Sequence, residues 1–173
     1  MQVGRFLRRS SWIGFSGLLA LPLAADGARI LDAAGDRNYA DVQAAIEDAV
    51  DGDIILVGEG NYGSLLIDGK GIAVFAAPGE QVRIDGTVTI RNLTWHNVVL
   101  SGLDVQPVEF ATALTLVNNS GHVRLLDCTF TGGSDVYAGG FGGPGASLST
   151  SVGVDFVNCI VQGGNGVPNL QAY

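Results

Sequence analysis

Three polar residues in the second half of the chain have types and spacing that could do chemistry together: Arg124, Asp127 and Asp155. Two carboxylates supply the oxygen ligands that Ca²⁺ takes, and a guanidinium beside them would bind an anionic group or hold its own counter-charge. The plainer reading of Arg124 and Asp155 is a surface ion pair, worth about 0–1 kcal/mol. Residues 131–153 are rich in glycine and read as an exposed loop inserted into the chain, carrying Tyr137 and Phe141, side chains able to stack on a sugar ring; a flexible spacer is the alternative. His122, between Gly121 and Val123, reads as a corner residue. Gly163-Gly164-Asn165-Gly166 matches only part of a Ca²⁺-binding glycine-rich repeat.

These residues must be positioned by a repeat. Val98 to Val105, Val123 to Phe130 and Val154 to Val161 can be laid over one another. Columns one, three, six and eight are apolar in every copy, so they point inward, whereas column two runs through Val99, Arg124 and Asp155 and points outward. Arg124 and Asp155 then stand about 5 Å apart on neighbouring strands. Column five is Gly102, Asp127 or Asn158, residue types that tolerate a left-handed backbone and so a sharp corner. The copies start 25 and 31 residues apart, and a degenerate one begins at Ile72 with Val74 inward and Ala77-Pro78-Gly79 as its turn. Strand pairs recurring every 20–30 residues bury their apolar edges against their neighbours. The expected fold class is all-β, a right-handed parallel β-helix (solenoid) with a short N-terminal capping helix. A β-sandwich or jelly roll explains the shared columns less well.

The capping helix is expected over residues 40–50, where Val42, Ala45, Ile46 and Ala49 share one face, with Asn38 as its N-cap. Asp51-Gly52-Asp53 then turns the chain into the strand Ile54-Ile55-Leu56-Val57. Cys128 and Cys159 share an inward column. In an exported chain two cysteines invite a disulfide, but side chains stacked in register run parallel, which favours buried thiols.

Tyr39-Ala40-Asp41-Val42-Gln43-Ala44-Ala45-Ile46, then Asp51 to Val57, then Gly60-Asn61-Tyr62 resemble the opening of pectate-lyase-like right-handed parallel β-helix proteins. The resemblance covers about residues 30–165. It implies secreted or surface proteins that often act on acidic polysaccharides, with an N-terminal helix plugging the first coil. Pectate lyases of that kind hold Ca²⁺ with aspartates and use an arginine as base, which by resemblance would fall to Asp127, Asp155 and Arg124. The motifs of pectin methylesterases and polygalacturonases are incomplete: Asp155-Phe156 lacks its glycine, and no Asp-Asp pair accompanies His122.

Arg5, Arg8 and Arg9 precede an apolar run from Trp12 to Leu23 and small residues at Ala24 and Ala25. This is the order of an export signal, and about 12 apolar residues fall short of the ~17–25 that span a bilayer. Residues 1–25 are read as a signal peptide and 26–173 as one domain, secreted or held in the cell envelope, without stable membrane insertion after signal removal. Removal takes away three of nine basic residues and none of seventeen acidic ones, moving the net charge from −8 to −11. With Lys70 the single lysine, there is no basic cluster to bind phosphate, which argues against nucleic acid as a partner. Polysaccharide is the candidate partner and Ca²⁺ the candidate cofactor. The sequence leaves open a polysaccharide lyase or glycoside hydrolase on one side and a non-catalytic adhesion or spacer module on the other. With no evident cap at Gln171-Ala172-Tyr173, further coils beyond Tyr173 are expected.

Overall fold

The computed structural model describes residues 27–31, 37–134 and 141–166. The expected signal peptide and Tyr137 lie outside the described residues. Sixteen strands and one helix follow in chain order: β1 (Ala28–Leu31), β2 (Arg37–Tyr39), α1 (Val42–Asp48), β3 (Ile54–Val57), β4 (Gly60–Tyr62) and β5 (Leu65–Asp68). They continue as β6 (Ala73–Ala76), β7 (Val82–Ile84), β8 (Val88–Arg91), β9 (Val98–Ser101), β10 (Leu103–Val105) and β11 (Leu114–Asn119). Last come β12 (Val123–Leu126), β13 (Thr129–Thr131), β14 (Ala146–Ser151), β15 (Val154–Val157) and β16 (Ile160–Gln162).

The strands form three sheets: seven strands in the order β15-β12-β9-β6-β3-β1-β2, five in the order β16-β13-β10-β7-β4, and four in the order β14-β11-β8-β5. From β3 onward, each strand pairs in parallel with the strand three places on in chain order. One pass through the three sheets therefore returns the chain beside its earlier position.

This architecture corrects the expected fold class. The chain is not a single all-β right-handed parallel β-helix: its described residues form three sheets, the largest of mixed sense, in an α/β-like arrangement with one helix. The mixing arises where β1 runs antiparallel to both β2 and β3. These strands precede the repeated segments, whose inward columns constrain only the residues they contain. The helix is also shorter than expected and starts later. Asn38, expected as its N-cap, lies within β2, and Asp41 occupies the cap position without a side-chain hydrogen bond.

The aligned segments pair as their columns require. Val98 faces Val123, which faces Val154, and Arg124 faces Asp155. Val98, Leu100, Val105, Val123, Leu125 and Phe130 are fully buried, each stabilising the fold by about 1.5–3 kcal/mol on the usual transfer scale. The corners between β9 and β10, β12 and β13, and β15 and β16 carry φ of +75° at Gly102, +51° at Asp127 and +54° at Asn158.

At the start of the chain, α1 buries Val42, Ala45 and Ile46 and packs against β1, β2, β3 and β5. Its C-terminal carbonyls have no partner within the helix. Lys70 supplies one, its Nζ donating to the carbonyls of Ile46 (2.9 Å), Glu47 (3.1 Å) and Ala49 (2.7 Å). Tyr62 anchors the start of β1 to the end of β3: its hydroxyl donates to the Gly58 carbonyl (3.0 Å) and accepts from the Gly27 N–H (2.7 Å).

Candidate functional site

A strand with one buried face alternates its side chains between core and solvent. In β7 and β10 that alternation buries Val82, Ile84, Leu103 and Val105 and turns Arg83 and Asp104 outward. Parallel register aligns Asn61, Arg83 and Asp104 across β4, β7 and β10. Adjacent strands lie about 4.8 Å apart, so the three form a continuous polar row. A groove of 470 Å³ runs along this row, lined also by Glu59, Glu80 and Gln81.

Arg83 organises the groove. Its Nε bonds Asp85 Oδ1 at 2.6 Å, Nη2 donates to Gln106 Oε1 at 3.1 Å, and Nη1 lies 3.9 Å from Asp104 Oδ2. The Asp85 hydrogen bond, with the charges of Asp85 and Asp104, outweighs partial burial and raises the Arg83 pKa. The guanidinium is thus permanently charged and fixed in plane by neighbours on its own strand's end and on the next pass. What it presents is a planar fork of donors flanked by two carboxylates and two side-chain amides, those of Asn61 and Gln106. Such a surface can hydrogen-bond hydroxyl-rich or carboxylated ligands from both sides.

The residues singled out in the sequence are elsewhere. Arg124 and Asp155 do meet, Nη2 to Oδ2 at 3.6 Å, on the outer face of the seven-stranded sheet with side chains about half exposed (58% and 46%). Asp127 does not join them: its carboxylate accepts a 2.6 Å hydrogen bond from Asn158 Nδ2, linking two successive corners. Arg124 lines a second hollow of 380 Å³ with Asn97, Val98, Val99 and His122. The His122 ring lies so close to Gly153 that a Cβ there would come within 2.9 Å of it. Among the described residues, no group of three or more His, Cys, Asp and Glu gathers where it could hold a metal ion.

Phe141 is 77% exposed. The stretch around it is not simply a loop, because β14 occupies residues 146–151 of the expected insertion. Its described glycines bond in a ladder, Gly133 N–H to Ala111, Gly143 N–H to Gly133 and Gly164 N–H to Gly143. A Cβ at Gly133 would fall 1.4 Å from the Glu109 carbonyl oxygen, so close backbone packing accounts for that glycine. Cys128 and Cys159 are both free. Burial pushes the Cys128 thiol up to about 11, which leaves it protonated and unreactive at neutral pH.

Sequence reasoning missed Arg83 and its partners. The usable signal was present: Val82-Arg83-Ile84 and Leu103-Asp104-Val105 share an apolar-charged-apolar pattern. No family model, curated protein or solved structure matches the chain. Among the described residues, no helix is long and apolar enough to cross a membrane.

Proposed function

We propose that this is an exported protein, secreted or held in the cell envelope, that contacts polysaccharide through the outer face of its five-stranded sheet. The observation that carries this reading is the row Asn61, Arg83 and Asp104 along a groove, with Arg83 held by Asp85 and Gln106. Sugar hydroxyls both donate and accept hydrogen bonds, and amides, carboxylates and a guanidinium at strand spacing match repeated hydroxyls along an extended chain. The resemblance of residues 39–62 to the opening of pectate-lyase-like proteins supports acidic polysaccharides as the substrate class. Because Glu59, Glu80, Asp85 and Asp104 outnumber Arg83 around this face, an acidic polymer would be met best with Ca²⁺ bridging the two sets of carboxylates.

A second reading, a non-catalytic adhesion or spacer module, draws on the engagement of the charged side chains: Asp85 and Asp104 are paired with Arg83, and Asp155 with Arg124. A panel of acidic and neutral polysaccharides, incubated with the mature protein with and without Ca²⁺, separates the two. Unsaturated products that absorb in the ultraviolet identify a lyase, and new reducing ends without them a hydrolase. Binding without cleavage selects the adhesion module. Neither binding nor cleavage across the panel overturns the polysaccharide reading.

A further inference from the structure

The hollow of 380 Å³ bounded by Asn97, Val98, Val99, His122 and Arg124 lies on the seven-stranded sheet, a different face from the one that carries Arg83. It sits across β9 and β12, and β6 and β15 pair on either side of those strands. One wall is polar. Asn97 Oδ1 accepts the His122 backbone N–H at 3.2 Å, which leaves Asn97 Nδ2 to donate to a ligand. Neither ring nitrogen of His122 has a hydrogen-bond partner among the described residues. Arg83 and Arg91 hydrogen-bond carboxylates at 2.6 and 2.9 Å, and Lys70 is engaged by the carbonyls that end α1. Arg124, in contrast, lies 3.6 Å from Asp155, beyond hydrogen-bond length. Its half-exposed guanidinium therefore keeps its fork of donors for a second carboxylate.

The other wall is apolar. Arg124 faces Val99, which faces Ala73, which faces Ile54, so one outward column runs from the cation onto three apolar side chains. Val99 and Ala73 are half-buried and Ile54 is exposed. Arg124 to Ala73 is about 10 Å at the spacing of adjacent strands, the reach of an extended alkyl carboxylate of roughly six carbons. An inorganic anion would use only the polar wall, and a neutral apolar molecule only the other. The net charge of −8 disfavours multiply charged anions, which leaves a single carboxylate on an apolar body.

We infer that this hollow binds a small amphiphilic monocarboxylate, its head on Arg124, His122 and Asn97 and its chain along Val99 and Ala73. The chain has two histidines, His96 and His122, so proton NMR of their Cε1–H signals, assigned with His96→Gln, reads the site directly. Titration at constant ionic strength with hexanoate, acetate and hexanol tests both walls. Hexanoate should shift the His122 signal saturably. Acetate should bind at least tenfold more weakly, because burying even two methylenes is worth that factor, and hexanol should lose at least tenfold for want of the charge. Arg124→Gln should weaken hexanoate at least tenfold. Asp155→Asn, which removes the competing carboxylate, should tighten it about two- to fivefold, the worth of an exposed ion pair. Arg91→Gln, the same loss of charge on another sheet, should leave it unchanged. No saturable shift of His122 overturns the inference. Acetate or hexanol binding as tightly as hexanoate, weaker binding in Asp155→Asn, or an equal loss in Arg91→Gln and Arg124→Gln overturns it as well.

Discussion

Asn119 offers the sharpest test of how successive passes are held together. It is 1% exposed, at the end of β11. Its Oδ1 accepts from the Leu93 N–H at 3.1 Å, and its Nδ2 donates to the Ile90 carbonyl at 2.9 Å and to Ser151 Oγ at 3.2 Å. One side chain thus ties three passes. Asn119→Leu keeps the volume close but leaves the Leu93 N–H and the Ile90 carbonyl without this partner in the interior. An unsatisfied buried group costs about 1–3 kcal/mol, so the variant should lose about 2–5 kcal/mol in urea unfolding followed by circular dichroism. Ser151→Ala removes only the outermost of these bonds and should cost less than about 1 kcal/mol. A loss below about 1 kcal/mol for Asn119→Leu would refute the claim that this side chain satisfies the corner backbone.

Asp68 should shape the acid limb of stability. Hydrogen bonds from Asn92 Nδ2 (2.8 Å) and Arg91 Nε (2.9 Å) lower its pKa. A depressed folded pKa contributes stability above the unfolded value of about 4, and that contribution vanishes as pH falls through the lower folded value. The stability gap between wild type and Asp68→Asn should therefore be constant above about pH 5 and close in more acid solution; a gap that does not close contradicts the assignment. Thr150 holds φ +50° at the corner where Gly69, Asn92 and Asn118 hold +64°, +59° and +55°. A β-branched residue is disfavoured there, so Thr150→Gly should raise stability by about 1 kcal/mol in thermal unfolding, and a decrease would count against the corner's strain. Cys128 should resist thiol reagents in native protein and react only on unfolding, followed by mass spectrometry; fast native labelling would contradict its burial.

The inward columns were legible because a buried strand position tolerates only apolar side chains, and three copies repeat the pattern without a gap. The corner at Gly102, Asp127 and Asn158 was legible for the related reason that few residue types hold a left-handed backbone. The second corner was not, because Thr150 breaks its series of Gly69, Asn92 and Asn118. Arg83 escaped notice for a geometric reason. Ile72 precedes Val98 by 26 residues, but Val82 precedes its partner Leu103 by only 21, so the longer turn between β6 and β7 shifts the row out of the aligned register. The antiparallel β1 carries no repeat, and nothing in Ala28-Arg29-Ile30-Leu31 announces its direction. Arg124 and Asp155 were placed correctly in one row, yet columns alone could not show that Asp127 bonds Asn158 instead of joining them.

The most direct test of the polysaccharide reading is the retardation of the protein in native gels that contain acidic or neutral polysaccharide, run with wild type, Asn61→Ala and Asp104→Ala. Both positions lie on the exposed face of the five-stranded sheet, so the variants should fold normally. The account predicts that at least one polymer slows the wild type and that both variants lose most of that retardation while their mobility in plain gels, corrected for charge, is unchanged. Equal retardation of all three proteins would contradict it, because the contact would then lie on a different face.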